Sequence, residues 1–531
     1  MKKQIRITKN WVVLLVLTTV LTFTVSSCTE DFVSLNTPPH QISEGNIDVG
    51  LLGQSFAHAQ FFGMYGSAGA FQLGQSLFGD LYSQYFATTA ENFDSDQFVE
   101  VGRWINGAWR NFYGNGARSL SFVETFSAEN EGLELPNAVA KIWRVQLYHR
   151  MTDYWGPVLY SQVGNGETSV PYDSQQDIYM DFFDTLDEAV ATLNQNRGSS
   201  VFAGHDQVFD GNVDQWITFA NSLRLRLAIR IRYADPGKAQ TEAEKAVAAG
   251  VMMDNSQNAM LKTTDNSRNP YNVITNWGEF RMSSAMESIL EGYNDPRTGV
   301  YFSPSVDGDS DGDGSPYEGM RNGLPRVQKG GVLNSQFSDM GSDWLPPNRG
   351  GTNPVIRIMG SSEVYLLRAE GAILGWNMGG SAKDLYEDGI RMSLTESRVG
   401  ADMATIDAYI QGTSFPADPQ DSWSSPPLSD IPVAFDVGGS TERQLEQIIT
   451  QKWLAIYPDG WEAYTEYRRT GYPKLYPIIE SQNSRVARDE VMRRMTFVSS
   501  EYDDNGEATQ AAVSLLGGPD ENDTRVWWDA K

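Results

Sequence analysis

The stretch DGDSDGDGSPYE, residues 307–318, spaces oxygen-bearing side chains in the manner of an EF-hand-type calcium loop. Asp307, Asp309 and Asp311 take positions 1, 3 and 5, Asp313 position 7, Ser315 position 9 and Glu318 position 12. Oxygen ligands at alternate positions wrap a hard cation, and Gly312 at position 6 permits the sharp turn. Against this, Pro304 and Pro316 argue against flanking helices, and Gly314 stands where position 8 is usually apolar. The spacing leaves two readings, a Ca2+ site or a solvated acidic turn, and Glu318 tilts the balance toward Ca2+.

A second set of residues suits sugar. Exposed aromatic rings stack against the CH faces of sugar rings, while neighbouring amide and charged groups meet the hydroxyls. Aromatic residues make up 11% of the chain. Several fall in loop-like or helix-end contexts: WINGAWRNFY (residues 104–113), YNVITNWGEF (271–280) and SDWLPP (342–347). Most tryptophans are core residues, and Trp104 and Trp109 are read as such. Trp277 and Trp344 are read as exposed, and with Asn276 and Arg281 they form the candidate ligand-binding set.

Other chemistries find no support. The four histidines, His40, His58, His149 and His205, are scattered, with neither a His-Glu-x-x-His pattern nor a pair at helical spacing. There is no Walker A or Gly-x-Gly-x-x-Gly motif, so no organic cofactor is expected. One Gly-x-Ser-x-Gly match, Gly308 to Gly312, lacks the strand and helix of a nucleophile elbow. Paired carboxylates hydrolyse glycosides, but among 68 acids no pair stands out. The chain reads as a non-enzyme.

The single cysteine, Cys28, excludes an intramolecular disulfide framework and any multi-cysteine metal site. Ahead of it, Lys2, Lys3, Arg6 and Lys9 precede the apolar run WVVLLVLTTVLTFTV, residues 11–25. That run falls short of the ~20 residues that span a bilayer and fits a cleaved signal peptide. The tetrad Val25-Ser26-Ser27-Cys28 resembles a bacterial lipoprotein signal box, in which the leader is removed and the cysteine carries lipid. Residues 1–27 are then the leader and 28–47, with Pro38-Pro39, a polar spacer. Two or more acyl chains anchor stably where one does not.

These groups need a body to position them, and its composition is ordinary for a globular chain: 531 residues, 40% hydrophobic and 21% charged. A net charge of -27 repels nucleic acid and anionic membranes. Apolar residues recur at helical spacing over residues 136–150, 177–193 and 441–457, the last opening with Thr441-x-x-Gln444 as a capping box. LRLRLAIRIR, residues 223–232, alternates like a strand. Yet Trp216, Phe219, Ala220, Leu223, Leu227 and Ile231 make a helical stripe, and the uninterrupted stretch is too long for an ordinary strand. It reads as a helix with Arg224, Arg226, Arg230 and Arg232 on its polar flanks. Long Gly- and Pro-rich loops occupy about 296–354 and 412–440. The expected architecture is mainly α: one large helical domain over residues 48–531.

Six segments in order resemble the SusD/RagB family of nutrient-binding outer-membrane lipoproteins. They are TDYWGPVLYS (152–161), DIYMDFFDTLDEAVATL (177–193), WITFANSLRLRLAIR (216–230), YNDPRTGVYF (293–302), SSEVYLLRAEGAILGW (361–376) and QKWLAIYPDGWEAYTEYRRTGYP (451–473). The resemblance implies tetratricopeptide-like helix pairs and a lipid tether at the outer face of the outer membrane. It also implies a SusC-like TonB-dependent transporter partner, to which oligosaccharide, or on some relatives peptide, is delivered. The shared motifs are mostly scaffold, so Arg468, Arg469, Asn221 and Ser222 are expected to be buried polar structure. A peptide-binding relative is the alternative, and a glycoside hydrolase a more remote one.

Overall fold

A computed structural model describes residues 48–531. Cys28, the leader and the spacer lie outside the described residues. Gly53–Lys531 form one compact unit; of a separate unit, Met1–Leu52, only residues 48–52 are described, and they lie in the helix Val49–Gly63 and just ahead of it.

Helix pairs make the scaffold. Helix α1 (Glu134–Trp155) packs on α2 (Gln175–Asn194), and α3 (Val213–Arg230) on α4 (Pro236–Ala249). Helix α5 (Ser284–Gly292) stands outside these pairs. Helix α6 (Ser361–Ile373) packs on α7 (Ala382–Leu394) and on α8 (Thr441–Ala455), which is followed by α9 (Gly460–Thr470). The apolar stripes read from the sequence face the core: Val139, Ile142, Trp143 and Leu147 on α1, and Ile178, Phe182, Leu186, Ala189 and Leu193 on α2, are buried. Side-chain caps fix the starts: Ser174 Oγ accepts from the Asp177 amide and Asn212 Oδ1 from the Gln215 amide. On α8 the cap is Ser440, accepting from the Arg443 amide, one residue before the expected Thr441. Among the described residues, two-stranded antiparallel ribbons pair Phe86–Thr88 with Phe280–Met282 and Ala259–Leu261 with Ile356–Met359 across long sequence distances, and Val158–Leu159 with the nearby Tyr172–Asp173.

The alternating segment 223–232 is helical through Arg230, and its arginines are not on a solvent flank. Arg224, Arg226, Arg230 and Arg232 are all buried, because acids on neighbouring helices meet each one. Arg226 makes a paired contact to Glu363 through Nε (2.8 Å) and Nη2 (2.7 Å). Arg230 reaches Glu462 at 2.5 Å and Glu466 at 3.1 Å; Arg232 reaches Glu370 at 3.0 Å; Arg224 bonds Glu242 on α4 and Asp187 on α2. Lys452 lies 3.3 Å from Glu462 and 3.2 Å from Glu466, and Arg469 spans Glu370 and Glu466. Burial alone would push Glu462 up, but Arg230, Arg226 and Lys452 outweigh it and hold the carboxyl at about 2. From Phe219 on this helix is buried on every side, so it carries alternating charge and apolar bulk, which produces the strand-like period.

The family scaffold residues are buried as expected. Arg468 Nη1 donates to the carbonyls of Asp153 and Arg493 at 2.7 Å each. Asn221 Nδ2 donates to Gly250 O at 2.9 Å, and Ser222 Oγ accepts from the Met252 amide at 2.9 Å.

Candidate functional site

The segment holding Trp277 begins with the short helix Tyr271–Ile274, tightens into a 3-10 turn at Thr275–Trp277 and stops at Gly278. Gly278 has φ +68°, and a Cβ there would come within 2.9 Å of Asn334 Nδ2, so both backbone and space favour glycine. The turn is bolted from beneath. Thr275 Oγ1 donates to Tyr271 O (2.7 Å) and Trp344 O (3.1 Å), and Asn272 Nδ2 donates to Asp343 O and Leu345 O. Beyond the turn, the ribbon Phe86–Thr88 with Phe280–Met282 fixes Glu279, whose carboxylate accepts from Gln72 Nε2 at 2.6 Å. Burial pushes the Glu279 carboxyl up, partly offset by that bond.

This framework leaves Asn276 and Trp277 side by side in solvent, with Trp277 42% exposed. The other two candidate residues fall elsewhere. Trp344 is 2% exposed, correcting the expectation of an exposed ring. It packs edge-on against Tyr457 at 5.7 Å, lies 5.5 Å from the Arg398 guanidinium and lines a cavity of about 570 Å3. Arg281 is buried and donates from Nε and Nη2 to Asn334 O at 3.2 Å each, so it holds the loop under Gly278 rather than facing solvent. Trp104 and Trp109 are core residues, as expected. Gln72 and Glu279 flank the exposed turn and were not legible from sequence: their pairing spans 207 positions, with no local pattern to mark it.

The Asp-rich loop gathers acids in two overlapping groups. Carboxylate oxygens of Asp309, Asp311 and Glu318 lie within 4.8 Å of one another, and so do those of Asp311, Asp313 and Glu287, the last from α5. Asp307 is not among them: its Oδ2 accepts from Ser335 Oγ at 3.0 Å. Glu318 accepts from the Ser310 amide and hydroxyl, and Asp309 from the amides of Gly312 and Gly314. No EF-hand helices flank the loop, in keeping with Pro304 and Pro316. Burial, then repulsion from Glu291 and Asp311, pushes Glu287 well above the usual carboxylate range. Burial also takes Glu291 up to about 8. Among the described residues no Lys, Arg or His forms an ion pair with any of these acids.

Among the described residues no helix is long and apolar enough to cross a membrane. None of the curated proteins compared matches the chain. Solved structures match closely. A chitin-binding SusD homolog from Flavobacterium johnsoniae is 35% identical with a TM-score of 0.82, covering 90% of this chain and 98% of its own. A SusD homolog from Bacteroides thetaiotaomicron is 32% identical with a TM-score of 0.82, covering 92% of this chain and 100% of its own. One from Bacteroides uniformis is 34% identical with a TM-score of 0.80, covering 91% and 100%. The profile described as SusD-like, SusD and RagB outer membrane lipoprotein, matches residues 35–529. With helix pairs, buried motif residues and profile in agreement over nearly the whole chain, this protein belongs to the SusD-like family of outer membrane lipoproteins.

Proposed function

We propose that this protein is a cell-surface lipoprotein that captures oligosaccharide on the Trp277 turn and passes it to a SusC-like TonB-dependent transporter. The observation that carries the capture site is the exposed indole of Trp277, held on a rigid turn beside Asn276. A sugar ring stacks its CH face on the indole while the Asn276 amide and the Gln72–Glu279 pair meet its hydroxyls. Family membership supports the transporter partner, and the chitin-binding relative supports glycan as ligand class. The role is binding without bond cleavage. Affinity electrophoresis in gels containing soluble polysaccharides tests it: the parent is retarded by at least one, and Trp277→Ala loses at least tenfold in affinity, about 1.4 kcal/mol. Equal retardation of both proteins removes the site, and reducing ends released from the glycan remove the non-enzymatic reading.

Anchoring rests on Cys28 as the lipid-bearing first residue of the mature chain. Cys28→Ser should leave an uncleaved or soluble form, and unchanged surface labelling of intact cells contradicts this.

The Asp-rich loop is read as a Ca2+ site, with a donor set revised by the geometry. Two overlapping triads share Asp311: Asp309 and Glu318 complete one, Asp313 and Glu287 from α5 the other, and Asp307 belongs to neither. Hard oxygen donors without a paired cation suit Ca2+ chemically. Its role there is structural, neutralising buried acids and fixing the loop.

A further inference from the structure

We propose that the cavity beside Trp344 is a second binding site, separate from the Trp277 turn, that takes a compact neutral sugar of monosaccharide or disaccharide size. Its volume of about 570 Å3 lies inside the ~300–1,000 Å3 range of ligand pockets. The walls are apolar and partly aromatic, formed by Phe71, Met260, Tyr271, Trp344 and Ile356. The mouth is open: Val355 is 46% exposed, and Thr395 and Ser397 beside it are exposed.

The polar lining sets the ligand's chemistry. Arg150 Nη1 contacts both oxygens of Asp459, at 3.1 and 2.9 Å, and its Nη2 donates to Gln75 Oε1. Arg357 Nη1 contacts both oxygens of Glu396, at 2.7 and 3.0 Å, and Arg398 Nε donates to the same carboxylate at 3.1 Å. Three guanidinium groups thus stand among three carboxylates, counting Asp343, so the lining carries no net charge for an ionic ligand to balance. The carboxylate oxygens of Asp459 and Glu396 already accept from these arginines, whereas half-buried Arg398, with Nε on Glu396 and Nη2 on the Tyr457 carbonyl, keeps Nη1 for an acceptor oxygen of the ligand. A sugar supplies a hydroxyl oxygen to Arg398 and an apolar ring face to Met260 and Val355. A charged sugar acid would add an unbalanced charge to a neutral lining in a protein already at -27.

This site does not depend on the Trp277 reading, and the test separates them. Saturation-transfer NMR and calorimetry on the whole protein use D-glucose and N-acetyl-D-glucosamine as probes. The exposed mouth residue is changed, Ser397→Trp, to plug the entrance without touching the core. The parent should bind at least one probe at millimolar concentration, and Ser397→Trp should weaken it at least tenfold while polysaccharide retardation persists. The proposal is overturned if neither probe binds the parent, if Ser397→Trp binds as the parent does, or if Trp277→Ala alone abolishes probe binding.

Discussion

Two regions of this molecule bury acids in opposite ways. Between α3, α6, α8 and α9, Glu363, Glu370, Glu462 and Glu466 are buried, and every one lies against Arg226, Arg230, Arg232, Lys452 or Arg469. Around the loop 307–318, Glu287 is as deeply buried, yet its neighbours are more carboxylates. Charge is thus neutralised internally in the helical scaffold and left open in the cluster around the loop 307–318. A core that is electrostatically complete has no use for an ionic ligand; an acidic cluster with no partner does. The exposed Trp277 turn also belongs to the loop-built part, where the glycan contacts are proposed.

The contrast can be broken most severely inside the scaffold. Glu462→Ala leaves Arg230 and Lys452 with only Glu466 of the two carboxylates they share, and should cost about 3–5 kcal/mol in chemical denaturation. A loss below about 1 kcal/mol would mean the network carries little of the stability.

Acid does the same reversibly. Glu462 is held at about 2 against an ordinary glutamate value near 4.3, so its folded form releases the proton more readily than the unfolded chain. Its contribution is complete above about pH 4.3 and is lost as pH falls through 2. Denaturation midpoints should drop between pH 4 and pH 2 in the parent, with a shallower drop in Glu462→Gln measured over the same window. Equal slopes would detach the pH dependence from this residue.

In the loop region the expected effect is smaller and of opposite sense. Ca2+ alone, at about a hundred times its dissociation constant, should stabilise the parent by about 2.7 kcal/mol in thermal melting. Glu287→Gln should melt higher than the parent in chelator, because a buried acid facing other acids is gone, and should lose most of the Ca2+ response. Asp307→Ala should keep that response, since Asp307 is engaged with Ser335. No stabilisation of the parent at millimolar Ca2+ would remove the metal reading.

How much of this was legible before the structure follows the same divide. The helices were, because each carries its period and length within one short segment, as α1 and α2 show. The depth of α3's arginines was not: Arg230 meets Glu462 from 232 positions away, and no local pattern encodes that partner. Trp344 was misplaced for a related reason. SDWLPP has the composition of an exposed loop, but Tyr457 and Arg398, both distant in sequence, cover its ring. Trp277 differs because its exposure follows from the tight turn ending at Gly278, a feature written locally. The proposed donors of the acidic loop were mostly legible: spacing supplied Asp309, Asp311, Asp313 and Glu318, while Glu287 came from another element.

The central claim is that glycan docks on the exposed indole. A crystal structure of the protein with a bound chitin oligosaccharide, or with whichever glycan retards it most, tests this directly. The account predicts a sugar ring stacked on Trp277 with hydroxyls at Asn276 or the Gln72–Glu279 pair. A bound oligosaccharide that leaves Trp277 bare to solvent would contradict it.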